Sequence, residues 1–86
     1  MNESEIISAI EQKKGTTQYS IWTVGITDNP ERRKGEHETA GENVTHWKDW
    51  KADTEAIARS VEAYFLGKGM KGATGGGDRP TYVYIF

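Results

Sequence analysis

Apolar residues recur three and four positions apart in two segments of the chain, which is the spacing of a buried helix face. The segments are residues 2–14 and 53–66, and each opens with residues that commonly cap helices. We therefore predict two amphipathic helices. Their candidate caps and buried positions are Asn2 with Glu5, Ile6, Ile7 and Ile10 in the first, and Asp53 or Thr54, Ile57, Val61, Tyr64 and Phe65 in the second.

Three other segments are rich in β-branched and aromatic residues, which favour strands. Residues 18–27 carry apolar side chains on both faces and predict a central strand, whereas residues 43–50 are interpreted as a short strand. Residues 81–86 predict a last strand. Alternation places Tyr82, Tyr84 and Phe86 on one face of that strand and Val83 and Ile85 on the other.

A third helix is predicted over residues 30–40, although it contains no apolar residue between positions 31 and 38. No ordinary hydrophobic stripe can therefore hold it against the fold. Arg33 and His37 stand four positions apart, so they share one face of this helix. Either the helix is solvated and held by weak ion pairs, or its polar face borders a site.

Together the six segments predict an α+β fold in a single domain of residues 1–86. We expect a small three-stranded, mainly antiparallel sheet flanked by about three helices.

Composition bounds the classes of protein to which the chain can belong. Of its 86 residues 35% are hydrophobic and 28% charged, which predicts a small core and modest stability. The absence of cysteine excludes disulfides and thiolate metal sites. Without a long apolar run or a basic leader, we expect a cytoplasmic protein with no membrane partner. The net charge of −2 argues against a broad basic surface for nucleic acid.

Glu62 falls beside the apolar stripe of the 53–66 helix, at the border between core and water. A carboxylate at such a border is partly desolvated and can still reach a ligand, which suits a metal ligand or a general base. An ordinary flanking residue would occupy the same position.

The segment TVGITDNPERRKGEH, residues 23–37, taken with the helix of Glu62, resembles the GIY-YIG nuclease family. In that family a strand ending in Tyr-Val/Ile-Gly leads into a helix carrying an arginine, often followed by a histidine, and a later helix supplies a metal-binding glutamate. On this resemblance Gly25 is the motif glycine and Arg33 the catalytic arginine. His37 falls where some members carry histidine, and Glu62 takes the metal-ligand position.

The resemblance covers about residues 21–69 and implies an endonuclease that cleaves DNA with one divalent ion, Mg²⁺ or Mn²⁺. Glu62 would bind the metal, Arg33 would hold the phosphate, and His37 would assist proton transfer or contact the phosphate. Further residues expected beside the substrate are Thr23, Gly25 and Arg32.

The chain departs from the family pattern where the family's motif tyrosine activates the attacking water. Thr23 takes the place of that tyrosine, and no first strand precedes it at the usual spacing. We hypothesise that residues 81–86 form the missing strand. The candidates for the missing phenol are Tyr19, Tyr82 and Tyr84, with packing in the sheet as the alternative role of each.

The glycine-rich segment 67–80 predicts a loop. Its glycines could form an anion-binding nest beside Lys68, Lys71 and Arg79, or the loop could be a plain flexible connection.

Two pairs of residues between and beside these segments also have alternative interpretations. Trp47 and Trp50 are either a satellite of the core or a platform for stacking nucleobases. His37 and His46, with no cysteine nearby, do not suggest a zinc site and are interpreted as surface residues.

Three functions remain open at this point. The first is a metal-dependent DNA endonuclease, and the second is a catalytically degenerate module of the same fold that binds nucleic acid or protein. The third is an unrelated interaction module. A protein partner or a homodimer would fit the last two.

Overall fold

The computed structural model describes residues 1–73 and 79–86. Its elements in chain order are helix α1 (Glu3–Lys14), a 3₁₀ turn (Tyr19–Ile21), strand β1 (Thr23–Thr27), helix α2 (Pro30–Thr39), strand β2 (Lys48–Lys51), helix α3 (Glu55–Lys68), strand β3 (Lys71–Gly72) and strand β4 (Tyr82–Ile85). Three helices and one sheet confirm the predicted α+β class.

The strands form one mixed sheet in the order β2-β4-β1-β3. Strand β4 pairs antiparallel with both β1 and β2, whereas β3 pairs parallel with β1. The prediction of a three-stranded, mainly antiparallel sheet was therefore wrong in detail. The additional strand begins inside the segment predicted as a glycine loop, because Gly69 ends α3 in the left-handed region (φ 113°) and Lys71 then pairs with Thr23.

The predicted strand over residues 18–27 begins later than expected, at Thr23. Just before it, the Trp22 backbone N–H donates to the Tyr19 carbonyl at 3.0 Å and closes the 3₁₀ turn. Thr23 then exchanges both backbone hydrogen bonds with Phe86, the last residue. Extended structure thus begins where a partner strand becomes available.

The amphipathic helices follow the predicted pattern closely. Asn2 and Glu5 form the capping box of α1, and Thr54 rather than Asp53 caps α3. Within α3 the buried stripe includes Ala58, whereas Tyr64 is exposed. The short strand predicted over residues 43–50 is observed as β2, at its C-terminal end and one residue beyond.

The hydrophobic core lies on one face of the sheet, between the strands and the α1–α3 pair. Its buried members include Ile6 and Ile10 of α1, Val24 and Ile26 of β1, Val61 and Phe65 of α3, and Val83 and Ile85 of β4. Alternation along β4 therefore turns Tyr84 away from this core, onto the face that α2 covers.

Candidate functional site

Helix α2 is anchored to the sheet through polar side chains rather than an apolar stripe. His37 is the buried residue of this helix, all of which the structure describes, and the residue is 6% exposed. The interpretation of His37 as a surface residue was therefore wrong, whereas His46 is exposed as predicted. Sequence periodicity failed here because an imidazole with both nitrogens hydrogen-bonded can be buried like an apolar group.

The partner that buries His37 is the Tyr84 hydroxyl. His37 Nε2 lies 2.8 Å from Tyr84 Oη, and the Arg33 Nε–H donates to the same oxygen at 3.3 Å. The two α2 residues that share a helix face thus meet one hydroxyl of β4. Arg33 also pairs with Glu36 of its own helix at 3.1 Å.

Gly25 provides the space for this hydroxyl. It is the register partner of Tyr84 across the β1–β4 pair, so both residues point to the same face. A Cβ at position 25 would overlap the Tyr84 hydroxyl and ring. Gly35 of α2, by contrast, faces open space, since a Cβ at that position would have nothing within 4 Å.

Aromatic rings pack against the rings of Tyr84 and His37. The Trp47 ring stacks on the Tyr84 ring with centroids 4.3 Å apart, and the Phe86 ring lies 4.7 Å from the His37 ring. Trp50 packs against the hydrophobic core. The core interpretation of Trp47 and Trp50 therefore fits these contacts better than an exposed stacking platform.

The electrostatics of Tyr84 favour the neutral phenol. Burial raises the pKa of the Tyr84 hydroxyl above its ordinary value, and the neighbouring Arg33 guanidinium opposes this rise. The negative charges of Glu62 and Glu42 raise the same pKa further.

Glu42 belongs to the same cluster as Arg33, His37 and Tyr84, and sequence reasoning missed it. Its Oε1 lies 3.1 Å from His37 Nδ1, on the opposite side of the ring from Tyr84. Glu42 follows the end of α2, so no helical spacing links it to His37. The signal that could have found it is Gly41, since a glycine just beyond a helix often reverses the chain and brings the next residue back to the last turn.

Two adjoining clefts open beside the cluster. The first, of about 420 Å³, is lined by Arg33, Glu36 and His37 together with Thr23, Glu42 and Lys71. The second, of about 360 Å³, shares Thr23, Glu42 and Lys71 and adds Ile21, His46 and Phe86. Tyr84, which is fully buried, lies behind Arg33 and His37 rather than in either lining.

Glu62 lies in the middle of α3 and is half-buried, as the stripe predicted. Burial raises the pKa of its carboxyl group, and the nearby Arg59 opposes this rise. Its charge acts on Tyr84, but it lies outside the two cleft linings as the described residues define them. The link between Glu62 and the Arg33–His37–Tyr84 cluster is therefore electrostatic.

The fit of Glu62 to a divalent ion rests on one carboxylate. Among residues 1–73 and 79–86, no three His, Asp or Glu side chains are grouped as a metal site. A single carboxylate matches the way Mg²⁺ is commonly bound, through one or two carboxylates with waters and substrate phosphates. One carboxylate leaves the remaining coordination positions to water and substrate, so the described residues do not form a closed protein metal site.

Several other predicted site residues lie apart from the cluster. The Tyr19 hydroxyl donates to Glu11 on α1, and Arg32 pairs with Asp28 at 2.6 Å. The Lys68 ammonium lies over the Tyr64 ring. Tyr82 is half-buried, and Arg79 is exposed with a φ of 55°. The central glycines of the predicted anion-binding nest fall within residues 74–78, outside the described residues.

Comparison of the chain with protein-family models, curated proteins and solved structures finds no match. In the part of the chain that the structure describes, no helix is both long and apolar enough to cross a membrane. Any function must therefore be argued from the site itself.

Proposed function

We propose that this domain is a divergent GIY-YIG-like endonuclease that cleaves DNA phosphodiester bonds with one divalent ion, Mg²⁺ or Mn²⁺. The observation that carries the proposal is the convergence of Arg33 and His37 on the Tyr84 hydroxyl, beside a cleft. The antiparallel pairing of β4 with β1 supports a further part of it, in which β4 takes the place of the family's missing first strand.

Arg33 is the phosphate-binding group in this proposal. Its side chain lines the first cleft, and its Nε–H already donates to Tyr84, which holds the guanidinium plane in place. A phosphate would exchange with the Glu36 carboxylate, which now lies 3.1 Å from Nη1. Arginine suits this role because its fork of donors matches two phosphate oxygens.

Tyr84 supplies the phenol that Thr23 cannot supply. In the cleavage step the Tyr84 phenolate accepts a proton from the attacking water while the water oxygen bonds to phosphorus and the P–O bond to the leaving oxygen breaks. The hydroxyl is fully buried in this structure. Cleavage therefore requires a shift of α2 when DNA binds, so that water reaches the oxygen.

Glu62 is the proposed metal ligand. A divalent ion bound there would polarise a phosphoryl oxygen and favour departure of the leaving group. The half-buried position of Glu62 in the middle of α3 supports this assignment.

The complete burial of Tyr84 favours a second candidate function, a domain of the same fold that binds nucleic acid without cleaving it. A phenol with a raised pKa that stays behind Arg33 and His37 stabilises the site instead of activating water. Arg33 and Lys71 would then bind a phosphate in the cleft without chemistry.

One set of variants separates the two candidates. We expect wild-type protein with Mg²⁺ or Mn²⁺ to nick supercoiled, single-stranded or branched DNA, and Glu62→Gln and Tyr84→Phe to lose nicking while still binding a labelled oligonucleotide. Arg33→Ala should lose both, whereas Lys34→Ala, which removes an exposed charge from the same helix, should lose neither.

The outcomes are read together with circular dichroism as the test of folding. Binding that requires Arg33, without cleavage of any substrate by wild type, would support the second candidate. Neither binding nor cleavage by folded wild type would overturn both.

A further inference from the structure

The turn after α2 returns Glu42 to the last turn of the helix. Gly41 adopts a left-handed φ of 89°, which a side chain would disfavour, and the Glu42 backbone N–H donates to the His37 carbonyl at 3.1 Å. This hydrogen bond is the 6→1 bond of a Schellman motif. The backbone therefore holds Glu42 beside His37, and the 3.1 Å contact between their side chains follows from that turn.

The hydrogen-bond donors around Tyr84 determine where its proton goes. Arginine can only donate, so Tyr84 Oη accepts from Arg33 Nε–H, and the hydroxyl proton is available to His37 Nε2. A neutral His37 can accept at Nε2 when its own proton is on Nδ1. Nδ1 faces the Glu42 carboxylate, which can only accept when ionised.

We propose that Glu42 is a positioning residue, which holds the His37 proton on Nδ1 so that Nε2 accepts the proton of the Tyr84 hydroxyl. Transfer of that proton leaves a Tyr84 phenolate and a His37 imidazolium, whose Nδ1–H remains on the Glu42 carboxylate. Glu42 thus acts on His37 as the buried carboxylate acts on the histidine of a serine-protease triad. The effect of Glu42 on DNA cleavage rests on the function proposed above. The position of the His37 proton on Nδ1 does not depend on that function.

If Glu42 acted only as a negative charge, its removal would favour the Tyr84 phenolate instead of hindering its formation. Among the described residues, the charged and titratable groups that contact Tyr84 or act on it electrostatically are Arg33 and His37 on α2, Glu42 after it, and Glu62 on α3. Among these, the charge of Glu42 raises the Tyr84 pKa, so removing that charge alone would ease formation of the phenolate. Loss of the positioning contact would instead leave His37 with its proton on either nitrogen.

The direct test is the histidine tautomer, observed by two-bond ¹H–¹⁵N correlation NMR on ¹⁵N-labelled protein. At about pH 8.5, roughly two units above the pKa of free histidine, we expect the Nδ1–H form of His37 in wild type. In Glu42→Gln the signal should change toward a mixture of tautomers, because an amide can either accept from Nδ1–H or donate to Nδ1. Glu38→Gln is the matched control, since it removes an exposed carboxylate from the same helix.

Gly41→Ala gives a second, independent variant. It strains the left-handed turn that carries Glu42 while leaving the carboxylate present. It should move the tautomer balance in the same direction as Glu42→Gln. An Nε2–H tautomer in wild type, or an unchanged Nδ1–H form in Glu42→Gln, would overturn the proposal.

Cleavage gives the functional readout. We expect Glu42→Gln to nick DNA at least about 10-fold more slowly than wild type, the lower end of the loss seen when the carboxylate behind a metal-bound histidine is removed. Faster nicking, with the rising limb of the pH–rate profile at lower pH, would show that Glu42 acts as a charge, and would overturn the positioning role. An Nδ1–H tautomer in a wild-type protein that does not cleave would retain the positioning role and refute the nuclease.

Discussion

Tyr84 connects strand β4 to the two site residues of α2. Its hydroxyl bonds to both Arg33 and His37, and its ring stacks on Trp47. Removal of the oxygen would leave a buried imidazole nitrogen without its partner, and that loss costs about 1–3 kcal/mol. We expect Tyr84→Phe to lower the free energy of unfolding by that amount at neutral pH, measured by urea denaturation.

Tyr84→Phe should also change how the free energy of unfolding depends on alkaline pH, and the sign of the change follows from the raised pKa of Tyr84. A raised phenol pKa contributes stability that is present below the unfolded value near 10 and is lost as the pH rises through the folded value. Wild type should therefore lose stability above about pH 10 more steeply than Tyr84→Phe. Tyr64→Phe, at an exposed tyrosine of α3, is the comparison. Equal slopes in wild type and Tyr84→Phe would contradict the buried phenol.

The raised pKa of Glu62 predicts that stability depends on pH above about 4.5. Its raised pKa means that the protonated carboxyl is preferred in the folded state, so its contribution is present below about 4.5 and is lost as the pH rises through the folded value. Glutamine resembles the protonated form at every pH. We expect Glu62→Gln to be more stable than wild type at pH 7, with the difference vanishing below about pH 4.

Urea denaturation across this pH range measures the difference, with the exposed Glu31→Gln as the control for loss of one negative charge. A Glu62→Gln variant less stable than wild type at pH 7 would mean that the carboxylate gains a stabilising partner on folding. Such a result would contradict the partly desolvated site proposed for the metal.

Two glycines give a matched pair of substitutions. Gly25→Ala should destabilise the fold by about 1–3 kcal/mol, because the new methyl group overlaps the Tyr84 hydroxyl. Gly35→Ala should stabilise it by roughly 0.5–1 kcal/mol, since a helix-interior position facing open space gains propensity without a clash. Thermal unfolding of both variants tests the contrast, and a neutral Gly25→Ala would contradict the packing of β1 against Tyr84.

At the scale of elements, α2 is the helix held by the fewest apolar contacts. His37 is its buried residue, while α1 and α3 share the hydrophobic core. Regions with few buried apolar contacts open locally at low free-energy cost. We therefore expect α2 to open independently of the rest of the fold.

His37→Ala tests this expectation by amide hydrogen exchange. Exchange in α2 should become at least about tenfold faster, which corresponds to a loss of roughly 1.4 kcal/mol of local stability, while α1 and α3 keep their protection. Lys34→Ala is the control on the exposed side of the helix. Uniformly faster exchange across the chain would show that α2 unfolds only with the whole domain.

Elements with a repeating apolar pattern were predictable from the sequence, and elements fixed by distant partners were not. The stripes and caps of α1 and α3 are local, so Asn2 and the apolar positions of α3 were sufficient evidence. Strand β3 consists of two exposed residues, and its strand conformation depends on pairing with β1. The start of β1 likewise depends on where Phe86 offers hydrogen bonds to Thr23.

The residues of the candidate site likewise comprise some that local spacing predicts and others that depend on distant contacts. The four-residue spacing of Arg33 and His37 is local to one helix, and the structure places both side chains on Tyr84, one of three tyrosines weighed from the sequence. Glu42 depends on a reversal of the chain at Gly41, and the burial of His37 depends on a hydroxyl 47 positions away. Periodicity carries no information about such contacts.

At the scale of the whole molecule, charge sets how strongly a nucleic acid can bind. The chain carries 11 basic and 13 acidic residues, and the lining of the first cleft contributes Arg33 and Lys71 as its fixed cations. The acidic Glu36 and Glu42 line the same cleft. Binding through this cleft should therefore neutralise one or two phosphates rather than a long stretch of backbone.

Salt dependence measures that number. Each neutralised phosphate of single-stranded DNA contributes a slope of about −0.7 to a plot of log K against log salt concentration, so we expect a total between roughly −0.7 and −1.4. Lys71→Ala should make the slope shallower by about 0.7, whereas Lys13→Ala, on α1, should leave it unchanged. Fluorescence anisotropy of a labelled oligonucleotide between about 50 and 200 mM salt covers the informative range. A slope steeper than about −4 would require roughly six or more phosphate contacts, more than this cleft can make, and would place the binding surface elsewhere on the domain.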